Sequence, residues 1–255
     1  MLNIFRHKNI VFFLPLFLWV LSQVFIFRPR LFFMALAIGF LLIVLTIKGL
    51  SAGKKQQDWP LFVYFPALLF LSSSLYATLL SNFFLIQGLA LIVPMMIFHY
   101  LKNFYYFFRY SDQDRTEKLD NLTVTSSVLS TFFLAASMYG LPTFLGWKFW
   151  PLLAGLAILI PPLFFQSFVL KSLKLKVNWP YFLVSALIFL EFAGVIYLLP
   201  ASFNVLGLIA AIFFYLLLLI LRLNLRGSFS GRTLRLPLIF SLIFIIILLL
   251  TSRWL

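Results

Sequence analysis

The sequence predicts an all-α, polytopic integral membrane helix bundle of about nine transmembrane helices. A parallel tandem duplication of a four-helix unit, followed by one C-terminal helix, is its expected organisation. Three observations predict this class. Of 255 residues, 64% are hydrophobic and only 10% are charged, whereas a soluble domain is about a quarter charged. The apolar residues fall in runs close to the ~20 needed to cross a bilayer. The basic residues, which give a net charge of +14, punctuate those runs. A water-soluble fold of this size leaves too much surface exposed to accommodate such a composition. The runs also lack the alternation of a membrane barrel, so helices are the expected form.

Taken in order, the first run covers 9–27 and is followed by "RPR" at 28–30. Its length and the missing small-residue cleavage site predict a retained span and not a signal peptide. Further spans are expected at 31–48, 59–80 and 83–101. The longest connection, "KNFYYFFRYSDQDRTEKLDN" at 102–121, is aromatic in its first half, which suits a membrane interface. Its second half reads as a short polar helix capped by Ser111, with Asp114 three residues on. Spans then follow at 122–146, 149–170, 179–200, 203–221 and 236–252. Tight hairpins are expected near 81–82, 147–148 and 201–202.

With a cytoplasmic N-terminus, sixteen of the twenty Lys and Arg residues fall on the inside and four (Arg28, Arg30, Lys148 and Arg253) on the outside. Short loops biased this way set orientation. That bias places the N-terminus in the cytoplasm and the C-terminus outside, and a compact chain without organelle-type targeting signals is expected in a bacterial-type inner membrane. In this arrangement the positive charge speaks for anionic lipid headgroups and against nucleic acid. Membrane lipids and other membrane subunits are the expected partners, with no soluble cofactor.

An offset of 120 residues aligns "DWPLF" at 58–62 with "NWPYF" at 178–182, and Arg28 with Lys148. It also aligns Phe12, Phe13 and Leu14 with Phe132, Phe133 and Leu134. A one-residue slip brings "PALLFL" onto "SALIFL". This divides the chain into a first four-helix unit at 1–115, a second at 121–228 and a ninth helix at 236–255. Four spans per unit give both copies the same orientation, as in parallel repeats.

Polar residues within spans are costly and therefore informative. Glu191 interrupts "LIFLEFAGV" about 12 residues into its span, roughly 18 Å deep at 1.5 Å per residue. A carboxylate there costs about 2.5–3.5 kcal/mol to insert, so it marks a functional site or an interhelical contact. Under the slipped alignment its counterpart is Ser72 in "SSS" at 72–74, and the two could share a small polar cavity. Gln87, Gln23 and Gln166 are weaker candidates of the interhelical kind. His99, beside Tyr100, reads as an interface residue. The candidate substrate- or ion-binding residues are thus Glu191, Ser72 and Gln87, with no catalytic residue and no metal ligand.

Pro15, Pro66, Pro94 and Pro142 lie within spans, and Pro161 and Pro162 lie mid-span; each breaks the helical ladder. Ala35/Gly39, Ala136/Gly140 and Gly207/Ala211 are small residues four apart, the spacing that lets membrane helices approach closely. The acidic residues Asp112, Asp114, Glu117 and Asp120 share their connection with four basic residues and read as a solvated helix before a metal site. "NLT" at 121–123 matches a glycosylation acceptor but falls at the cytoplasmic edge of a span.

With no cysteine and two histidines, disulfides, thiolate chemistry and multi-histidine zinc sites are excluded. Membrane prenyltransferases also have nine spans, with aspartate-rich motifs in the loops after spans 2 and 6. Here the first loop holds Asp58 alone and "KSLKLKVN" holds none, so that resemblance fails. No acid–base pair, nucleophile–base pair or phosphate loop can be assembled. The expectation is a non-enzymatic protein, either a transporter or permease using Glu191 as a proton or cation site, or a non-catalytic scaffold or subunit of a larger membrane complex.

Overall fold

The computed structural model describes residues 2–51, 59–110, 113–169, 175–225 and 231–252. Among these there is no strand. The helices are α1 (Leu2–Phe27), α2 (Phe32–Ser51), α3 (Trp59–Ala77), α4 (Phe83–Tyr110), α5 (Gln113–Leu145), α6 (Phe149–Leu159), α7 (Pro161–Val169), α8 (Leu175–Ile196), α9 (Phe203–Leu225) and α10 (Gly231–Thr251). A 3-10 turn, Pro29–Leu31, joins α1 to α2. Seven of these segments are long and apolar enough to cross a membrane, and two shorter apolar ones run from Phe62 to Ala77 and from Phe149 to Phe165. Many outward residues are large and apolar, including Phe33, Phe84, Trp150 and Leu250. That is the surface of a protein embedded in lipid, where each backbone polar group must be satisfied within its own segment.

Two expectations about boundaries are corrected. The aromatic stretch after 101 is not a connection, because α4 continues to Tyr110. Ile97, Tyr100, Leu101 and Phe104 are all buried at helical spacing, and the Tyr100 and Phe104 rings stack with centroids 6.3 Å apart. Packing thus carries the helix beyond the apolar run. The expected 149–170 span is split into α6 and α7. Pro161 and Pro162 have no N–H for the carbonyls of Ala157 and Ile158, so the ladder stops at Ile160, whose N–H still reaches Leu156 O at 2.9 Å. The proposed Ser111 cap lies outside the described residues.

The chain forms two compact units, Met1–Ser127 and Val128–Leu255, and the boundary falls inside α5. In the first unit α1 packs on α2, α2 on α3, α3 on α4, and α4 returns to α1. The core holds Leu18, Ile43, Ile47, Phe65, Leu69 and Ile97, all essentially inaccessible. Gly39 permits the α2–α3 approach, since a Cβ there would collide with the Phe70 ring.

In the second unit α6 and α7 pack on α8, α8 packs on α9, and α10 lies against α9. α5 meets α9 where a Cβ built on Gly207 would lie 2.6 Å from Ala136 Cβ and 2.8 Å from its backbone nitrogen. Two of the small-residue pairs seen in the sequence are therefore partners of each other. α5 also meets α6, where Met138 covers Gly155. It meets α8 through the Tyr139 hydroxyl, which donates to Ala193 O at 3.0 Å. Gly146 ends α5 with φ +66°, a conformation that favours glycine, while its N–H bonds Pro142 O at 3.0 Å.

Candidate functional site

Among the described residues of this apolar bundle, three places hold the polar groups that bear on function. The first lies between α1, α3 and α4. Gln23 Nε2 donates to Gln87 Oε1 at 2.8 Å, and Gln87 Nε2 donates back to Gln23 Oε1 at 3.1 Å. Each amide thus satisfies the other, in the interhelical role expected of both residues. Next to this pair, Ser22 on α1 and Ser73 and Ser74 on α3 line a small niche together with Ala90 and Val93 of α4. Ser22 Oγ donates to Leu18 O at 2.9 Å and Ser73 Oγ to Phe70 O at 3.0 Å. Ser72 is fully buried and does not line this niche; its Oγ donates to Leu69 O at 3.3 Å.

The second place is the buried face of α5. Asp120, Thr123, Ser126, Ser127, Ser130 and Thr131 recur at spacings of three and four, and none is more than 3% exposed. Two of the hydroxyls bond their own helix: Thr123 Oγ1 donates to Leu119 O at 2.8 Å and Ser127 Oγ to Thr123 O at 2.7 Å. The Ser130 Oγ is buried and unpartnered. This row was missed in the sequence. Its signal is present in "DNLTVTSSVLST" as hydroxyl residues at helical period, overlapping the charged stretch 112–120 at its start. Within that acidic cluster Glu117 is exposed and Asp120 buried, so α5 turns them to different environments. The side chains of Asp112 and Asp114 lie outside the described residues, as does that of Gln166 on α7.

The third place is Glu191, in the second unit. It is exposed on α8, midway along a stripe of exposed apolar residues formed by Val184, Leu187, Ile188, Val195 and Leu198. Its carboxylate makes no hydrogen bond or ion pair with any described residue. His99 is exposed on α4, and its carbonyl accepts from Asn103 Nδ2 at 2.8 Å. In "NLT", Asn121 and Thr123 both lie within α5, with Thr123 buried.

A larger cleft of ≈ 350 Å³ opens between α5, α9 and α10, walled by Val128, Leu208, Ile212 and Phe244 with the hydroxyl residues Tyr215 and Ser241. Such walls accept hydrocarbon and offer little to a charged solute. No family model matches the chain, and neither a curated protein nor a solved structure is similar to it.

Proposed function

We propose that the chain is a non-catalytic subunit of a larger membrane complex, held along α8 to a transmembrane helix of another subunit. That helix presents a hydrogen-bond donor at the depth of Glu191. The carrying observation is the exposed, unpartnered Glu191 within an apolar helix face. A carboxyl left facing hydrocarbon costs about 2.5–3.5 kcal/mol, and such residues face partners or water instead. A donor on a docking helix removes that cost and fixes its register.

Several further assignments belong to the same reading. The membrane is taken as a bacterial-type inner membrane, with the N-terminus cytoplasmic and the C-terminus outside, and it is the orientation that the sixteen-to-four partition of Lys and Arg supports. The spans number nine when the shorter apolar segments at Phe62–Ala77 and Phe149–Phe165 are counted with the seven long ones. A tandem duplication relates 1–115 to 121–228, with 236–255 as an added helix. Its support is that helices begin at Phe83 and Phe203 and include Trp59 and Trp179, pairs 120 residues apart. In addition, α1–α4 and α5–α9 each close a ring in which the first helix meets the last.

A transporter using Glu191, Ser72 and Gln87 is the second reading, favoured by the buried hydroxyl row on α5. One set of experiments separates the two. Photo-crosslinkers placed at Ile188 and Val195 should capture one and the same membrane subunit. Glu191→Leu should abolish that capture while the chain remains monodisperse, and Glu191→Gln should preserve it. Proton or cation flux by the purified chain alone in proteoliposomes, lost in Glu191→Gln, would establish the transporter instead.

A further inference from the structure

Pro66 and Pro94 each deprive a carbonyl four residues earlier of its helical donor, and the two carbonyls meet different fates. Phe62 O receives the Tyr100 hydroxyl at 3.2 Å. Ala90 O receives no side-chain donor among the described residues, yet Ala90 lines the niche between α1, α3 and α4. In a bilayer the carbonyls freed by proline are satisfied by neighbouring side chains or by ordered water.

The niche has the size and chemistry for the second solution. Its volume is ≈ 10 Å³, about one water molecule. Ser22, Ser73 and Ser74 line it and are each at least nine-tenths buried. The Ser22 and Ser73 hydroxyls already donate to their own helices, which leaves their oxygens as acceptors. Ser74 makes no hydrogen bond with any described residue, so its hydroxyl is available to donate. We infer that the niche binds a single ordered water, which donates to Ala90 O and to one serine oxygen and accepts from Ser74 Oγ. This gives it the three bonds typical of a buried water. The lining contains no carboxylate, so a cation there would find no opposite charge.

A double-mutant cycle on the full chain in nanodiscs tests the assignment. Ser74→Ala should lower the thermal midpoint by about 2–4 °C, the shift expected when one net hydrogen bond is lost from a chain of this size. Pro94→Ala supplies an N–H for Ala90 O, so in that background the decrement should fall to less than half. Water-edited solid-state NMR should show early transfer from water to Ser74 and Ala90 in the wild type and its loss in Ser74→Val. Additive midpoints, or no water transfer to Ser74, would overturn the inference. So would a midpoint raised by sodium over choline in the wild type and not in Ser74→Ala, since that result would make the occupant a cation.

Discussion

The Tyr100 hydroxyl donates to Phe62 O, the carbonyl that Pro66 leaves without a helical donor. The proline in α3 and the tyrosine in α4 therefore form one structural device, in which the kink in one helix is tied off by its neighbour. Phe65 packs on the same ring, with centroids 4.8 Å apart.

Tyr100→Phe keeps the ring contacts and removes the donor. It should cost about 1–2 kcal/mol, because a buried acceptor is left unsatisfied. Adding Pro66→Ala restores an N–H to Phe62 O and should recover most of that loss. Reversible unfolding of the four proteins in one detergent checks both statements, and equal effects of Tyr100→Phe with and without Pro66 would show that the bond carries no weight.

The reciprocal amides predict a paired response. Gln87→Leu strands the Gln23 amide and should cost about 0.6–2 kcal/mol, the range measured for interhelical hydrogen bonds in membranes. The double variant Gln23→Leu/Gln87→Leu removes both groups and should be closer to wild type than either single change. The same unfolding assay reads the coupling.

Gly39 and Gly207 should tolerate a methyl group to different degrees. At Gly39 the obstacle is the Phe70 ring, a side chain that can swing aside; at Gly207 it is the backbone of Ala136. Gly207→Ala is expected to cost 1–3 kcal/mol or more, as an overpacked interface does, and Gly39→Ala less. Size-exclusion profiles and thermal midpoints of the two variants give the ranking.

Because the chain has no cysteine, single introduced thiols report topology without background. Cysteines at Ser81, Trp147 and Ser202 should react with an impermeant reagent applied outside intact cells, whereas one at Lys48 should react only after lysis. The opposite pattern would invert the proposed orientation.

Most helices were legible because lipid leaves the backbone few alternatives. Any run near 20 apolar residues must satisfy its own N–H and C=O groups. The extension of α4 was not legible, since Phe104 and Tyr105 fit an interface as well as a core until Tyr100 is seen stacked on Phe104. The break at Pro161–Pro162 was visible as a kink, but its severity follows from two consecutive missing donors. Gln23 and Gln87 could each be read as interhelical glue, yet their mutual pairing depends on α1 lying beside α4. For Ala136 and Gly207 the sequence offered two separate small-residue motifs, and only the packing of α5 on α9 joins them. Glu191 stood out by its chemistry, while its outward direction was a matter of helical phase fixed by the burial of Phe189 and Ala193 on the other side of α8.

The boundary between Ser127 and Val128 lies in mid-helix, and Leu119, Asp120 and Thr123 of α5 group with the half that precedes them. If the chain arose by fusion of two ancestral copies, the junction has since been overgrown by regular backbone. Cutting the gene at that boundary would split one helix into two stumps, so a viable two-piece version would need its break outside α5.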